Sequence, residues 1–230
     1  MPGRYGPVRK KAFGEQVTEQ LRNAIVRGNL PVGQRLVEEQ LAGQFGVSRG
    51  PIRDALRRLE QESLVESRGT GTYVMGIVDA DIDELYSLRQ AVEGLATDLA
   101  MEHTSSTGWT KMALLVDVLE KAADDGDHDV FAATDIEFHS LIYVLSGHRR
   151  LSDIWHQYAP MLTTLLRTTV LEDIDLHDSA AKHRFLLDLM MSGDREAVAA
   201  ELRDHLENSH QRMLTEHRKA KDVGTERVAN

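Results

Sequence analysis

The residues best equipped for chemistry lie in the stretch DIEFHSLIY, positions 135–143. Asp135 and His139 stand four apart, so on a helix they project from one face. Ile142 shares that face and turns it partly inward. A carboxylate and an imidazole one turn apart can chelate one metal ion, although the plainer reading of the pair alone is an Asp–His hydrogen bond. Two further histidines raise the stakes. His183 begins the periodic run HRFLLDLM, and His205 lies in ELRDHLENSH. Both adjoin apolar runs, so both can face the interior of a helical bundle, and three helices would then bring one Asp and three His to one point. For each imidazole the alternative is a core histidine with a local hydrogen bond. His210, one and a half turns beyond His205, could line the same cavity. His103, His128, His148, His156, His177 and His217 read as loop or exposed residues.

Such a cluster needs helices to hold it, and the second part of the chain supplies them. Helical patterns cover about 80–103, 108–124, 128–146, 149–168, 178–191 and 194–217, with no convincing strand. Gly147 and Gly193 suit C-terminal stops, and Asp194 can cap the last helix. About six helices over residues 77–218 predict an antiparallel α-helical bundle with its own core. Residues 219–230 read as a frayed tail.

Charge divides the chain in the same place. Of its 230 residues, Lys+Arg total 27 and Asp+Glu 37, a net charge of −10. Residues 1–76 hold 12 basic and 8 acidic residues, net +4; residues 77–230 hold 15 and 29, net −14, with all 10 histidines. The first segment alone is therefore suited to meet a nucleic-acid backbone, despite the acidic average. Cysteine is absent, which excludes disulfides, thiol nucleophiles and Cys-zinc modules and suits a reducing cytoplasm, the expected location. No apolar run reaches the ~18 residues of a membrane span. Residues 1–12 are basic without a following apolar region, so they read as a flexible arm rather than a secretory signal. A composition of 41% hydrophobic and 28% charged residues excludes wholesale disorder.

Residues 13–76 read as three helices and a β-hairpin wing. Val17, Leu21, Ala24 and Ile25 give a first helix over about 14–28, and residues 37–45 a short second one. Gly46 and Val47 turn the chain, Ser48 suits an N-cap, and a third helix follows from about Arg49 to Glu62 with Ile52, Leu56 and Leu59 inward. Pro51 falls in its first turn, where the missing N–H is harmless. Residues 64–74 read as two short strands around glycines. This is the layout of a winged helix-turn-helix. Arg49, Arg53 and Arg57 repeat at i+4 on the third helix, and a guanidinium can bond guanine edges or phosphates. On a generic helix the same arginines would merely solvate it; the cap, turn and wing together favour DNA.

The segment GQRLVEEQLAGQFGVSRGPIRDALRRLEQESLV, followed by RGTGTYV, resembles the DNA-binding module of GntR-family bacterial regulators. The resemblance implies that Arg35, Ser48, Arg49, Arg53 and wing Gly69 or Gly71 match positions that touch operator DNA, with Arg53 the strongest match. Gly50 departs from the Thr, Ser or Ala more usual after the Ser-Arg pair. The rest of the chain resembles the all-helical FCD-type ligand-binding domain of the FadR subfamily: Asp135-x3-His139, His183 in a K-H-R-x-x-L context, Gly193-Asp194 and His205. In that domain the matching Asp and three His bind a divalent metal in the effector pocket. Zinc is the default expectation, with nickel, manganese or iron as alternatives, and acidification should release the ion, because the neutral imidazole is the ligand. Residues 85–100 resemble the domain's first long helix, in which Arg89 matches a position that often faces the pocket; its alternative is an ion pair with Glu93 at i+4.

These resemblances imply a homodimeric, metabolite-responsive transcription regulator. It would read a pseudo-palindromic operator and be released from it by a small carboxylic acid held by the metal and Arg89. Two alternatives stand beside this reading. One is a metal-dependent hydrolase fused to a DNA module, although no motif places a general base near the metal and no P-loop, dinucleotide fingerprint or nucleophile elbow is present. The other is a pure metal sensor.

Overall fold

The computed structural model describes the backbone of residues 13–173 and 176–228, and the side chains of 13–167 and 176–219. The basic arm read at 1–12 lies outside the described residues. The chain divides into two compact units, Met1–Ile77 and Val78–Asn230.

The first unit contains α1 (Phe13–Val26), β1 (Arg35–Leu36), α2 (Glu38–Phe45), α3 (Arg49–Gln61), β2 (Val65–Arg68) and β3 (Gly71–Val74). Val17, Leu21 and Ile25 repeat every four residues on α1 and bury against α3, whose Ile52, Leu56 and Leu59 are likewise buried. Gly46 closes α2 in the left-handed region at φ 64°, and its N–H bonds the Ala42 carbonyl. That reversal brings α3 out of a three-residue turn. Ser48 occupies the N-cap position of α3, but its hydroxyl makes no capping bond.

The sheet has an extra member. The sequence predicts a two-stranded wing; β1 adds a third strand, and the order is β1-β3-β2, all antiparallel. Two residues are too few to show a period, and β1 exists because β3 offers it an unpaired edge, with Arg35 opposite Tyr73. Between β2 and β3, Gly69 has φ 59°, which a tight hairpin turn requires of its first central residue. At Gly71 the need is different. A Cβ there would lie 2.9 Å from Arg35 Nε and 3.0 Å from the Tyr73 ring, so the glycine makes room for both side chains.

A buried ion pair ties α1 to the end of α3. Arg22 on α1 donates from Nε and Nη2 to the Glu62 carboxylate at 2.7 and 2.6 Å, and both side chains are nearly inaccessible. Glu62→Ala would strand the guanidinium and should cost about 3–5 kcal/mol. Faster hydrogen exchange of the α1 amides is the readout, and the paired apolar change Arg22→Met/Glu62→Leu should recover most of the loss. Unchanged exchange in Glu62→Ala would show that the pair does not anchor α1.

The second unit is all-helical among its described residues: α4 (Asp79–His103), α5 (Ser106–Asp125), α6 (His128–Leu145), α7 (Arg149–Asp173), α8 (Leu176–Ser192) and α9 (Arg195–Val228). Helix α6 is the centre, packed against α4, α5 and α7; α9 packs against α4, α7 and α8. Asp127 caps α6 by accepting the Val130 N–H, and Asp194 accepts the Ala197 N–H, the capping role its position predicts. Two helices outrun the sequence reading. Helix α7, read to 168, continues to Asp173, and α9 continues to Val228 where a frayed tail was expected from 219. Lys, Ala, Glu and Arg sustain a helix there, and a single interior glycine costs only ~1 kcal/mol relative to Ala; residues 229–230 lie outside the described residues. No helix among the described residues is long and apolar enough to cross a membrane.

Candidate functional site

Helix α6 buries Asp135, Phe138, His139 and Ile142 on its inner face, α8 buries His183, and α9 buries His205. The three imidazoles meet: one ring nitrogen from each lies within 4.8 Å of the others. His139 Nε2 and His205 Nε2 are 3.3 Å apart, and Asp135 Oδ1 is 3.1 Å from His183 Nε2. The structure therefore brings three of the predicted ligands, the imidazoles, to one point inside the bundle and sets the fourth, Asp135, beside His183.

Hydrogen bonds fix which nitrogens face that point. His183 Nδ1 lies 2.8 Å from the Ser179 carbonyl, which can only accept, so Nδ1 carries the proton. His183 Nε2 is then a lone pair, buried and without a hydrogen-bond partner, beside the Asp135 carboxylate. His139 Nδ1 is held by Glu93 Oε1, so its proton points at that carboxylate and its Nε2 lone pair faces His205. A lone pair on His183 Nε2 turned toward the Asp135 carboxylate repels it unless a cation lies between them. Zinc–nitrogen bonds of ~2.0–2.1 Å place neighbouring donors roughly 3–3.5 Å apart, a range that the 3.1 and 3.3 Å separations meet. The donor set fits a divalent ion.

Glu93 is the residue that sequence reasoning undervalued. Its carboxylate is fully buried and bonds His139 on one side and Arg89 Nε, at 2.9 Å, on the other. The i+4 spacing disclosed the Arg89 pair, but the His139 pair crosses 46 residues and has no local signature. A carboxylate that holds the far nitrogen of a ligating histidine fixes its tautomer and orientation. Arg89 is thus both an ion pair with Glu93 and a resident of the site. Its guanidinium lies between the Tyr86 and Trp155 rings, at 5.8 and 6.0 Å, and its Nη2 is buried with no partner.

His210, offered as a fourth lining imidazole, is directed instead at Asp83, 2.8 Å away, and stacks on Tyr86. His217 and His128 are partly buried rather than exposed, and His217 lies 3.7 Å from Asp79.

Electrostatics keep the cluster poised for a cation. Burial alone would raise the Glu93 pKa, but Arg89 and His139 outweigh it and hold it at about 2. Asp135 is likewise held well below the usual carboxylate range, because a protonated His183 donating to it, with His139 and Arg89 nearby, overcomes its burial. Burial lowers His139 despite the neighbouring Glu93, and lowers His205 further with His183 and His139 beside it. The unfolded chain thus binds protons at His139 and His205 that the folded chain refuses. Metal-free protein should lose stability as pH falls below 6.5, the unperturbed histidine value, and the loss should stop growing once pH is below the folded values. Urea titrations across that range would read it; a metal-free midpoint that does not fall between neutral pH and pH ~5 would contradict the burial of neutral imidazoles.

The first unit presents the other candidate surface. Arg49, Arg53 and Arg57 lie exposed along one face of α3. Arg49 pairs with Glu39 at 2.9 Å and Arg53 with Glu38 at 2.8 Å, all four side chains well exposed, while Arg57 has no ion pair among the described residues. Ser48 is exposed at the start of that face with its hydroxyl uncommitted to capping. Arg35 reaches the Thr70 carbonyl of the wing at 3.4 Å, between Gly69 and Gly71. Arg58, the fourth arginine of α3, turns instead toward Glu15 of α1, 3.9 Å away.

Residues 13–74 match the family described as bacterial regulatory proteins, gntR family, and residues 84–208 match the FCD domain. A relative from Paenarthrobacter nicotinovorans, described as a probable D-xylose utilization operon transcriptional repressor, is 31% identical over 202 residues, covering 86% of this chain and 88% of that one. The gluconate operon transcriptional repressor of Bacillus licheniformis is 27% identical over 157 residues, 68% of this chain and 65% of that one. Among solved structures, Escherichia coli McbR/YncC shares the fold with a TM-score of 0.72 at 22% identity, over 90% of this chain and all of that one.

Proposed function

The chain belongs to the GntR family of bacterial transcriptional regulators and carries the FCD domain that fits the FadR subfamily, and from that premise we propose a repressor released from its operator by a small carboxylic acid bound at a metal centre. DNA-binding regulation, not catalysis, is the family's activity. Repression as the sign of that regulation is carried over from the two relatives described as repressors.

The observation that carries the effector reading is Arg89. A guanidinium buried to 2% exposure keeps Nη2 unpartnered beside a cluster of three imidazoles and Asp135. A divalent ion held by Asp135, His139, His183 and His205 would supply a Lewis-acid centre for an oxygen ligand. Arg89 would hold a second carboxylate oxygen of the effector, and Glu93 would keep both Arg89 and His139 in place. The hydrolase alternative loses ground here, since Asp135 faces His183 and Glu93 is engaged by Arg89 and His139, which leaves neither free to serve as a general base. On the DNA side, Arg35, Ser48, Arg49, Arg53 and Arg57, with the close approach that Gly69 and Gly71 permit, form the reading and phosphate-contacting set. A homodimer would present two such sets to a pseudo-palindrome.

Titration of a labelled operator with metal-loaded protein, with and without small mono- and dicarboxylic acids, tests this reading. An inducing acid should weaken operator binding by a coupling of roughly 1–3 kcal/mol, and operator DNA must weaken acid binding by the same factor. Loss of acid binding in Arg89→Met with metal retained would assign the carboxylate to Arg89. If metal alone releases the operator and no acid adds to it, the protein is a metal sensor.

A further inference from the structure

We propose that the cleft between α4 and α9 is a second small-molecule site, distinct from the histidine cluster, that takes a zwitterionic aliphatic amino acid. The cleft is open to solvent and offers ≈ 210 Å³. That suits a small metabolite and falls below the ~300–1,000 Å³ of sites for drug-sized ligands. Its wall on α4 is open at Gly94, where an added Cβ would meet nothing within 4 Å.

The floor holds a hydroxyl out of place. Thr97 is 1% exposed and lines the cleft, and its Oγ1 has no hydrogen-bond partner. Six threonines elsewhere in the helices return their hydroxyl to the carbonyl four residues back. Thr97 forgoes that bond, which leaves a buried hydroxyl unsatisfied at the base of the cleft.

The walls carry opposite charges. Asp98 stands on α4 and Arg203 on α9, both exposed at the rim. Arg203 has no ion pair among the described residues. Asp98 lies 3.6 Å from Arg195, whose shorter bond, 2.9 Å, goes to Glu102. An ammonium fits Asp98, and a carboxylate fits Arg203. Leu202 and Leu206 give an aliphatic side chain an apolar surface. The cleft also adjoins the cluster through the chain: Gly94 follows Glu93 and Leu206 follows His205. Occupancy would bear on the two helices that carry Arg89, Glu93 and His205.

Calorimetric titration of the full chain with free L-alanine, L-valine and L-leucine, beside their N-acetyl and amide derivatives, tests the assignment. At least one free amino acid should bind with 1:1 stoichiometry, and its blocked derivatives should bind about ten-fold or more weakly, since each leaves one charged wall unpaired. Arg203→Gln should cost a similar factor, Gly94→Leu should fill the cleft and abolish binding, and circular dichroism should confirm that both variants fold. Binding should persist in His183→Ala/His205→Ala, which separates this site from the metal reading. No heat from any free amino acid up to about 10 mM overturns the proposal. So does binding that survives both cleft variants, or that vanishes only with the histidines.

Discussion

Protein purified without a chelator or a metal-affinity tag should carry close to one divalent ion per chain, and His183→Ala combined with His205→Ala should remove it. The ligands come from α6, α8 and α9, so an ion bound only by the folded bundle stabilises it by mass action. At a free metal concentration a thousand times the dissociation constant, that amounts to about 4 kcal/mol. Chelator should therefore lower the melting temperature of the native protein and leave the double variant, already metal-free, unmoved. Glu93→Gln separates ligation from orientation. It keeps all four ligands but weakens the carboxylate that steers His139 Nδ1, and should reduce metal affinity about 10–100-fold without abolishing it. Elemental analysis and differential scanning calorimetry read both effects. If chelator leaves the melting temperature untouched and no metal is detected, the cluster is a buried histidine core and the site assignment fails.

Operator affinity should fall steeply with salt and drop further when Arg53 is lost. A protein making 6–10 phosphate contacts loses roughly 10³–10⁵ in affinity between 50 and 200 mM salt, and the two winged modules of the proposed homodimer, each with exposed Arg35, Arg49 and Arg57, suit that range. Arg53→Ala should cost about 1–3 kcal/mol and relax sequence preference if it reads a base, with little change in the salt slope. The free protein adds a twist of its own: Arg53 is already paired with Glu38 at 2.8 Å, and DNA must displace that partner. Exposed pairs are weak, up to about 1 kcal/mol, so displacement is easy. Glu38→Gln should then tighten operator binding modestly, the opposite sign to Arg53→Ala. Fluorescence anisotropy over a salt series distinguishes these outcomes. An affinity indifferent to both salt and Arg53 would remove this face from DNA recognition.

How far the sequence alone reached is clear from particular residues. The winged helix-turn-helix was legible because its signals are local. The four-residue apolar repeat of α1, the glycine that reverses the chain at 46, and the glycine pair of the wing each act within a few residues. The same holds for the i+4 arginines of α3 and for Asp135 with His139, where helix geometry alone sets the shared face. Helix ends were less legible, because a terminus is a balance of weak propensities. That is why α9 runs on to Val228 and α7 to Asp173.

Spacing could not decide what crosses the chain. That His183 and His205 converge on His139, and that His183 meets Asp135, is a fact of how α6, α8 and α9 pack; by spacing alone each imidazole could equally have been a core residue with a local bond. Glu93 illustrates the limit best. Its pairing with Arg89 follows from one helical turn, whereas its grip on His139 exists only because α4 lies against α6. The open cleft over Gly94 and the unsatisfied Thr97 hydroxyl are likewise products of the α4–α9 packing. Local sequence determined which groups each helix carries and on which face; the tertiary structure decided which of them meet, because burial and hydrogen-bond satisfaction are settled among all the helices at once.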